Sequence, residues 1–251
     1  RMCIRAKNLL NGLIACAAKP FIPLAYSREQ LRQIITELID KNDLKEGGLR
    51  MVLTGGVSEN HFSPAQGKLF IFAESLIFPA EEKYEKGIKL LSVEYVRSIA
   101  EIKTTNYAYP VWHSVQWKEA GAEDVIYHMN GEISESSRSN IFIIKDSQVS
   151  TPDKHVLHGI TRKHVMDLVG DVAVRPIYFE EMLEADEVFI TSTTKVLLPV
   201  TQVDNHMIGN GKVGDENFHI LEKFKAIEKE LCDYFPIVNS SVSTVYLFLA
   251  L

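Results

Sequence analysis

Apolar side chains recur at helical spacing from the start of the chain. Met2, Ala6, Leu9, Leu10, Leu13 and Ala17 fall on one face and predict a buried helix. Ser27-Arg28-Glu29-Gln30 has the form of a capping box, in which serine and glutamine side chains satisfy backbone amides that a helix start leaves open. It begins a second helix to about Lys41, with Leu31, Ile34, Ile35, Leu38 and Ile39 inward. The period then drops to two. Arg50 to Thr54, ended by Gly55-Gly56, is followed by Lys68 to Ala73 and Ile88 to Val96, so three strands complete a small α+β domain.

The second half starts with a helix from about Tyr109 to Ala120, stopped by Gly121. Asp124 to Met129, Asn130-Gly131 and the run from Glu132 form a hairpin with a favoured two-residue turn. Further strands are expected at Ile141 to Lys145, Asp171 to Ile177 and Glu187 to Thr191, and a hairpin at Val200 to Ile208. Helices are expected at Thr161 to Val169, Phe179 to Glu184 and Asp215 to Leu231. The architecture reads as α+β in two domains, 1–97 and 98–235, followed by an apolar tail at 236–251. A site between the domains is the default expectation. Val242 to Leu251 is far short of the ~20 residues of a membrane span; it is either a docking strand or a tail without an assigned role.

Composition narrows the function classes. The 251 residues are 46% hydrophobic and 24% charged, as in ordinary globular proteins. The net charge of −6, without a basic block, argues against nucleic acid as the main partner but leaves room for a local phosphate pocket. Cys3, Cys16 and Cys232 are too scattered for a disulfide framework or a zinc site, which suits a reducing cytoplasm. His113, His128, His155, His158 and His164 lack metal-ligand spacing, so no metal is expected. Arg1, Arg5 and Lys7 before Leu9 to Ala18 imitate a secretory signal, and Leu13-Ile14-Ala15-Cys16 a lipoprotein cleavage box. Asn11-Gly12 interrupts that run, and the buried helical face accounts for the same residues. Arg1 is no initiator, and the sequence opens inside a helical pattern; a preceding N-terminal piece, with its strands, is expected.

Four stretches carry chemistry as an ordered set. Lys103, after Ile102, is an amine that partial burial would keep ready to lose its proton. Glu135, in Glu135-Ser136-Ser137-Arg138-Ser139-Asn140-Ile141-Phe142, is a carboxylate able to keep a pyridine nitrogen protonated, and so the ring an electron sink. Gly159-Ile160-Thr161 opens a helix whose free amides offer a phosphate seat. Thr193 and Thr194 add hydroxyls and amides. Each has a plain reading alone: a surface lysine, a loop acid, a helix start and a turn. Together they are the parts that hold pyridoxal phosphate.

With Ala185-Asp186-Glu187-Val188-Phe189-Ile190-Thr191 and Ile208-Gly209-Asn210-Gly211-Lys212, this set resembles the class IV aminotransferases from Arg1 to about Phe235. That family of fold-type IV pyridoxal phosphate enzymes includes branched-chain and D-amino acid aminotransferases and aminodeoxychorismate lyase. The resemblance implies a small N-terminal α+β domain, a larger C-terminal α/β cofactor domain and a homodimer. It implies Lys103 as the Schiff-base lysine, which shuttles the substrate proton, and Glu135 at the pyridine nitrogen. The backbone of Ile160 and Thr161, with Thr193 and Arg1, would hold the phosphate, and Tyr107 would lie near the lysine. The implied substrates are an amino acid and a 2-oxo acid. Three departures stand out. Family members extend before Arg1; Gly55-Gly56 replaces an arginine that D-amino acid aminotransferases use for the substrate carboxylate; and Arg138 stands where small residues are common. Arg138 and Thr194 are the candidates to meet that carboxylate, although Arg138 pairing with an acid elsewhere remains open. Transamination is the expected reaction; the lyase branch and a truncated, inactive member are the alternatives.

Overall fold

The computed structural model describes residues 2–4, 6–44, 46–227, 233–235 and 244–250. The chain opens with β1 (Met2–Ile4), α1 (Ala6–Ala18), α2 (Arg28–Lys41), β2 (Glu46–Thr54), β3 (Lys68–Glu74), α3 (Glu81–Lys86) and β4 (Ile88–Glu94). It continues with α4 (Ala108–Glu119), β5 (Asp124–Met129), β6 (Glu132–Ser136), β7 (Asn140–Lys145), β8 (Gln148–Thr151), α5 (Ile160–Val169) and β9 (Val172–Val174). Then come α6 (Phe179–Leu183), β10 (Glu187–Ser192), β11 (Val196–Val203), β12 (His206–Met207), α7 (Asp215–Ile227), β13 (Asp233–Phe235) and β14 (Thr244–Ala250). None of the described helices is long and apolar enough to cross a membrane.

Contacts divide the chain into two units. The first takes in the described residues of Arg1–Ile77, Ile102–Thr105 and Ile227–Leu251; the second is Phe78–Glu101 and Asn106–Ala226. In the first, the strand order is β13-β1-β14-β2-β3. Leu10, Leu13 and Ala17 of α1 are buried, as are Leu31, Ile35 and Ile39 of α2 and the alternating Leu49, Met51 and Leu53 of β2. Of the residues that imitate a cleavage box, Leu13 is thus a core position. The capping box is present, with Ser27 Oγ accepting from the Gln30 amide and Gln30 Oε1 from the Ser27 amide.

In the second unit the order is β6-β5-β4-β11-β10-β7-β8-β9, with β12 beside β11. Alternate residues on one face, among them Leu90, Ile126, Ile141, Val188, Ile190 and Leu198, form a core that Met182 of α6 joins. By the two-residue period, Asn140, Phe142, Phe189 and Thr191 belong to the other face, where the Phe142 and Phe189 rings stack 4.9 Å apart. Helix α5 packs against β10.

Three expectations need correction. Strand β4, assigned from sequence to the small domain, pairs in parallel with β5 and β11, so the units divide at 77/78 rather than near Arg97. Alternation marks a strand but does not name its partner. Met2, expected on the helix, lies in β1, and the predicted strand from Asp171 to Ile177 shortens to β9. The tail contains β14, which runs parallel to β2 from Thr244 opposite Glu46 to Ala250 opposite Val52.

Candidate cofactor site

The β5–β6 hairpin presents the central carboxylate. Asn130 and Gly131 have φ of 51° and 81°, the left-handed pair that a tight primed turn requires. Beyond the turn, His128 faces Ile133 but Ile126 faces Ser136, so two steps on β5 match three on β6. The extra residue is a β-bulge, a device that re-aims side chains beside functional sites. It puts Ser134 and Glu135 across from Tyr127 and leaves Glu135 only 3% exposed.

A buried carboxylate needs a countercharge and hydrogen-bond donors. Arg97 Nε donates to Glu135 Oε1 at 2.6 Å. The Leu157 amide donates to Oε2 at 2.9 Å, and Asn140 Nδ2 lies 3.4 Å from the same oxygen. Arg97 also donates to the Ala100 carbonyl, which fixes the guanidinium from behind. Nearby, burial pulls the Arg162 guanidinium below its usual value while the field of Glu135 pulls it the other way. Burial, followed by the charge of Asp124, pushes the Tyr127 phenol up, and its buried hydroxyl has no hydrogen-bond partner among the described residues.

Asn140 links this carboxylate to the start of α5. Its Nδ2 donates to the Leu157 carbonyl at 2.8 Å. A Cβ at Gly159 would collide with Asn140 Oδ1, so the helix can begin this close only with glycine there. Gly159 supplies no side-chain cap. Among the described residues, no acceptor takes the amides of Ile160, Thr161 and Arg162, the first three of the helix, which point outward with its positive dipole end. Thr161 is buried, and Arg162 reaches inward to Thr151 and the Pro152 carbonyl. On the sheet, Thr191 is opposite Asn140, with its hydroxyl buried and without a partner among the described residues. Thr193 and Thr194 form the turn that follows. Open amides, an orphaned buried hydroxyl and a charge-balanced carboxylate fit the cofactor expected from the sequence: donors for a phosphate, and an acceptor for a pyridinium N–H.

The second unit thus brings together Glu135, Ile160, Thr161 and the turn of Thr193 and Thr194. Lys103 lies on Ile102–Thr105 of the first unit, half-buried, and its amine makes no hydrogen bond or ion pair to a described residue. Tyr107 is the residue before α4, half-buried, its carbonyl accepting from the Val111 amide. Arg138 is exposed, and no acid among the described residues holds it. Arg1 lies outside the described residues. Arg97 and Asn140 are functional candidates that the sequence reading does not find. Asn140 stands in the same serine-rich run as Glu135, while Arg97 gives no local signal.

A sequence model of the family described as amino-transferase class IV matches residues 13–203. A D-alanine aminotransferase from Bacillus licheniformis is 31% identical over 212 residues, covering 80% of this chain and 75% of that protein. A provisionally assigned branched-chain-amino-acid aminotransferase from Methanocaldococcus jannaschii is 29% identical over 234 residues, covering 88% and 81%. Among solved structures, a T.th. branched-chain amino acid aminotransferase with pyridoxamine 5'-phosphate superposes with a TM-score of 0.78 at 21% identity, covering 92% of this chain and 83% of that one.

Proposed function

The chain belongs to the class IV aminotransferases, and from that membership we propose that it moves the amino group of an amino acid to a 2-oxo acid with pyridoxal 5'-phosphate, taking a D-amino acid or a branched-chain donor. The observation that carries this reading is Glu135, a carboxylate buried on a sheet, neutralised by Arg97 and tied to the open start of α5. When bound, the cofactor supplies an electron sink for the pair left on the substrate α-carbon. Glu135 keeps a proton on the ring nitrogen, and Arg97 and the Leu157 amide hold the carboxylate in place. The amides of Ile160 and Thr161, with Thr193, would hold the phosphate, and Arg1 would add a positive charge. Lys103 would hold the cofactor through its amine, and that amine would take and return the substrate α-proton. Tyr107 lines the site near it, and Arg138 and Thr194 are assigned to the substrate carboxylate.

A homodimer is part of this reading. Helix α4 has no buried residue and exposes Val111, Trp112 and Val115 by 65%, 80% and 60%, an apolar face suited to a second copy. Scattered cysteines support a cytoplasmic setting. Purified protein loaded with cofactor should change its visible absorbance on mixing with amino acids and recover with a 2-oxo acid, and should sediment as a dimer. D-alanine and the L-branched-chain amino acids distinguish the two donor classes. Lys103→Ala should abolish both the exchange and the borohydride-trapped adduct. Release of pyruvate from aminodeoxychorismate without amino transfer would instead select the lyase branch, and no response to any amine would remove the enzymatic reading.

A further inference from the structure

The turn between β10 and β11 is held by bonds that amino transfer does not require. Lys195 closes this turn, and its ammonium lies 3.0 Å from Asp124 Oδ2 and 3.0 Å from Ser139 Oγ. The two charged side chains are 12% and 3% exposed. Asp124 also accepts from the Ser137 hydroxyl and the Val125 amide. Burial works to raise the Asp124 carboxyl, but Lys195, with those donors, holds it below its ordinary value, so Asp124 stays ionised at neutral pH. Backbone bonds lock the same residue. The Lys195 amide donates to Ser192 Oγ at 3.3 Å, and the Tyr84 hydroxyl donates to the Lys195 carbonyl at 2.9 Å. Val196 follows with φ of 56°, left-handed backbone that a β-branched residue rarely takes. Such a conformation is strained and persists only where the surroundings impose it.

A buried ion pair is weak evidence for stability, because well-packed apolar residues often serve as well; fixing a register is its better-attested use. Here the register joins two halves of one site. Thr193 and Thr194 sit just before Lys195, whereas Ser137 and Ser139 lie between Glu135 and Asn140. We propose that Lys195 is a positioning residue: its pair with Asp124 clamps the Thr193–Thr194 turn to the loop between Glu135 and Asn140, setting the spacing between the phosphate seat and the ring-nitrogen seat. This rests on the cofactor reading given above. Without the clamp, Val196 relaxes toward ordinary backbone and the threonines move off the phosphate.

The experiment titrates cofactor-free protein with pyridoxal 5'-phosphate and, separately, with pyridoxal, which lacks the phosphate. Lys195→Met should weaken pyridoxal 5'-phosphate binding by about tenfold while changing pyridoxal binding by less than about twofold. Asp124→Asn/Lys195→Met leaves no lone buried charge; it should recover the thermal stability that Lys195→Met loses but not the affinity, and it carries the test if Lys195→Met does not fold. A parent protein unable to bind pyridoxal 5'-phosphate removes the cofactor reading and the clamp together. If the parent binds, three results overturn the clamp alone: unchanged affinity in the variants, equal losses for the two ligands, or a double variant that regains affinity along with stability.

Discussion

At the scale of single residues, the site depends on how a charge survives inside a sheet. Glu135 is 3% exposed, and desolvation at that depth costs several kcal/mol unless a countercharge answers it. Arg97 is that countercharge, at 2.6 Å. Arg97→Met should therefore destabilise the protein by about 3 kcal/mol, since removing one member of a buried pair strands the other. Urea unfolding followed by the denaturation midpoint measures the loss. Turnover should fall as well, because Arg97 no longer holds the Glu135 carboxylate in the place proposed for it at the ring nitrogen. A variant with the parent's midpoint and rate would show that Arg97 is incidental to the carboxylate. The sequence makes Glu135 legible through its order among the other motifs. Arg97, 38 residues earlier, is silent, because only the register of β4 beside β5 brings the two together. Lys195 and Asp124, 71 positions apart, are hidden for the same reason.

At the scale of elements, local signals are legible and pairings are not. Asn130-Gly131 specifies a primed turn through backbone conformation alone, and the Ser27 box fixes the start of α2 through bonds within four residues. Neither reaches far enough to say which sheet receives β4, or that a bulge re-aims Glu135. Helix α5 offers a test of whether its open start matters. Gly159 has an ordinary φ of −63°, so alanine is not opposed by the backbone there; the obstacle is Asn140 Oδ1. Gly159→Ala should push Asn140 away from Leu157 and weaken pyridoxal 5'-phosphate binding by about tenfold, read by titration of the cofactor-free protein. Gly12→Ala in α1 is the control, because a Cβ there meets nothing within 4 Å. Replacing a helix-interior glycine should raise stability by about 0.5–1 kcal/mol and leave cofactor affinity alone. Equal cofactor affinity in the two variants would mean that the approach of Asn140 to Gly159 has no bearing on the phosphate seat.

At the scale of the whole molecule, the chain closes its first unit with its own tail. β14 lies inside the sheet order β13-β1-β14-β2-β3, parallel to β1 and to β2, so one segment near the C-terminus satisfies the backbone of two strands from the N-terminal half. Composition alone leaves this run as either a docking strand or a tail, because an apolar decapeptide carries no information about its partner. The position makes a definite demand. Deleting residues 244–250 would leave facing edges of β1 and β2 without their ladder, and an unpaired edge is both unstable and prone to association. Glu135, Ile160, Thr161 and Thr193, proposed to seat the ring nitrogen and the phosphate, lie by contrast in the second unit. Truncation should therefore be uneven in its effect. Limited proteolysis of the shortened chain should cut within 1–77 at protease levels that spare the parent, while a fragment spanning about 78–226 survives. Thermal unfolding should gain an earlier transition for the same reason. Even loss of protease resistance across both units would show that they unfold as one, and unchanged resistance would show that β14 contributes nothing to the sheet in which it lies.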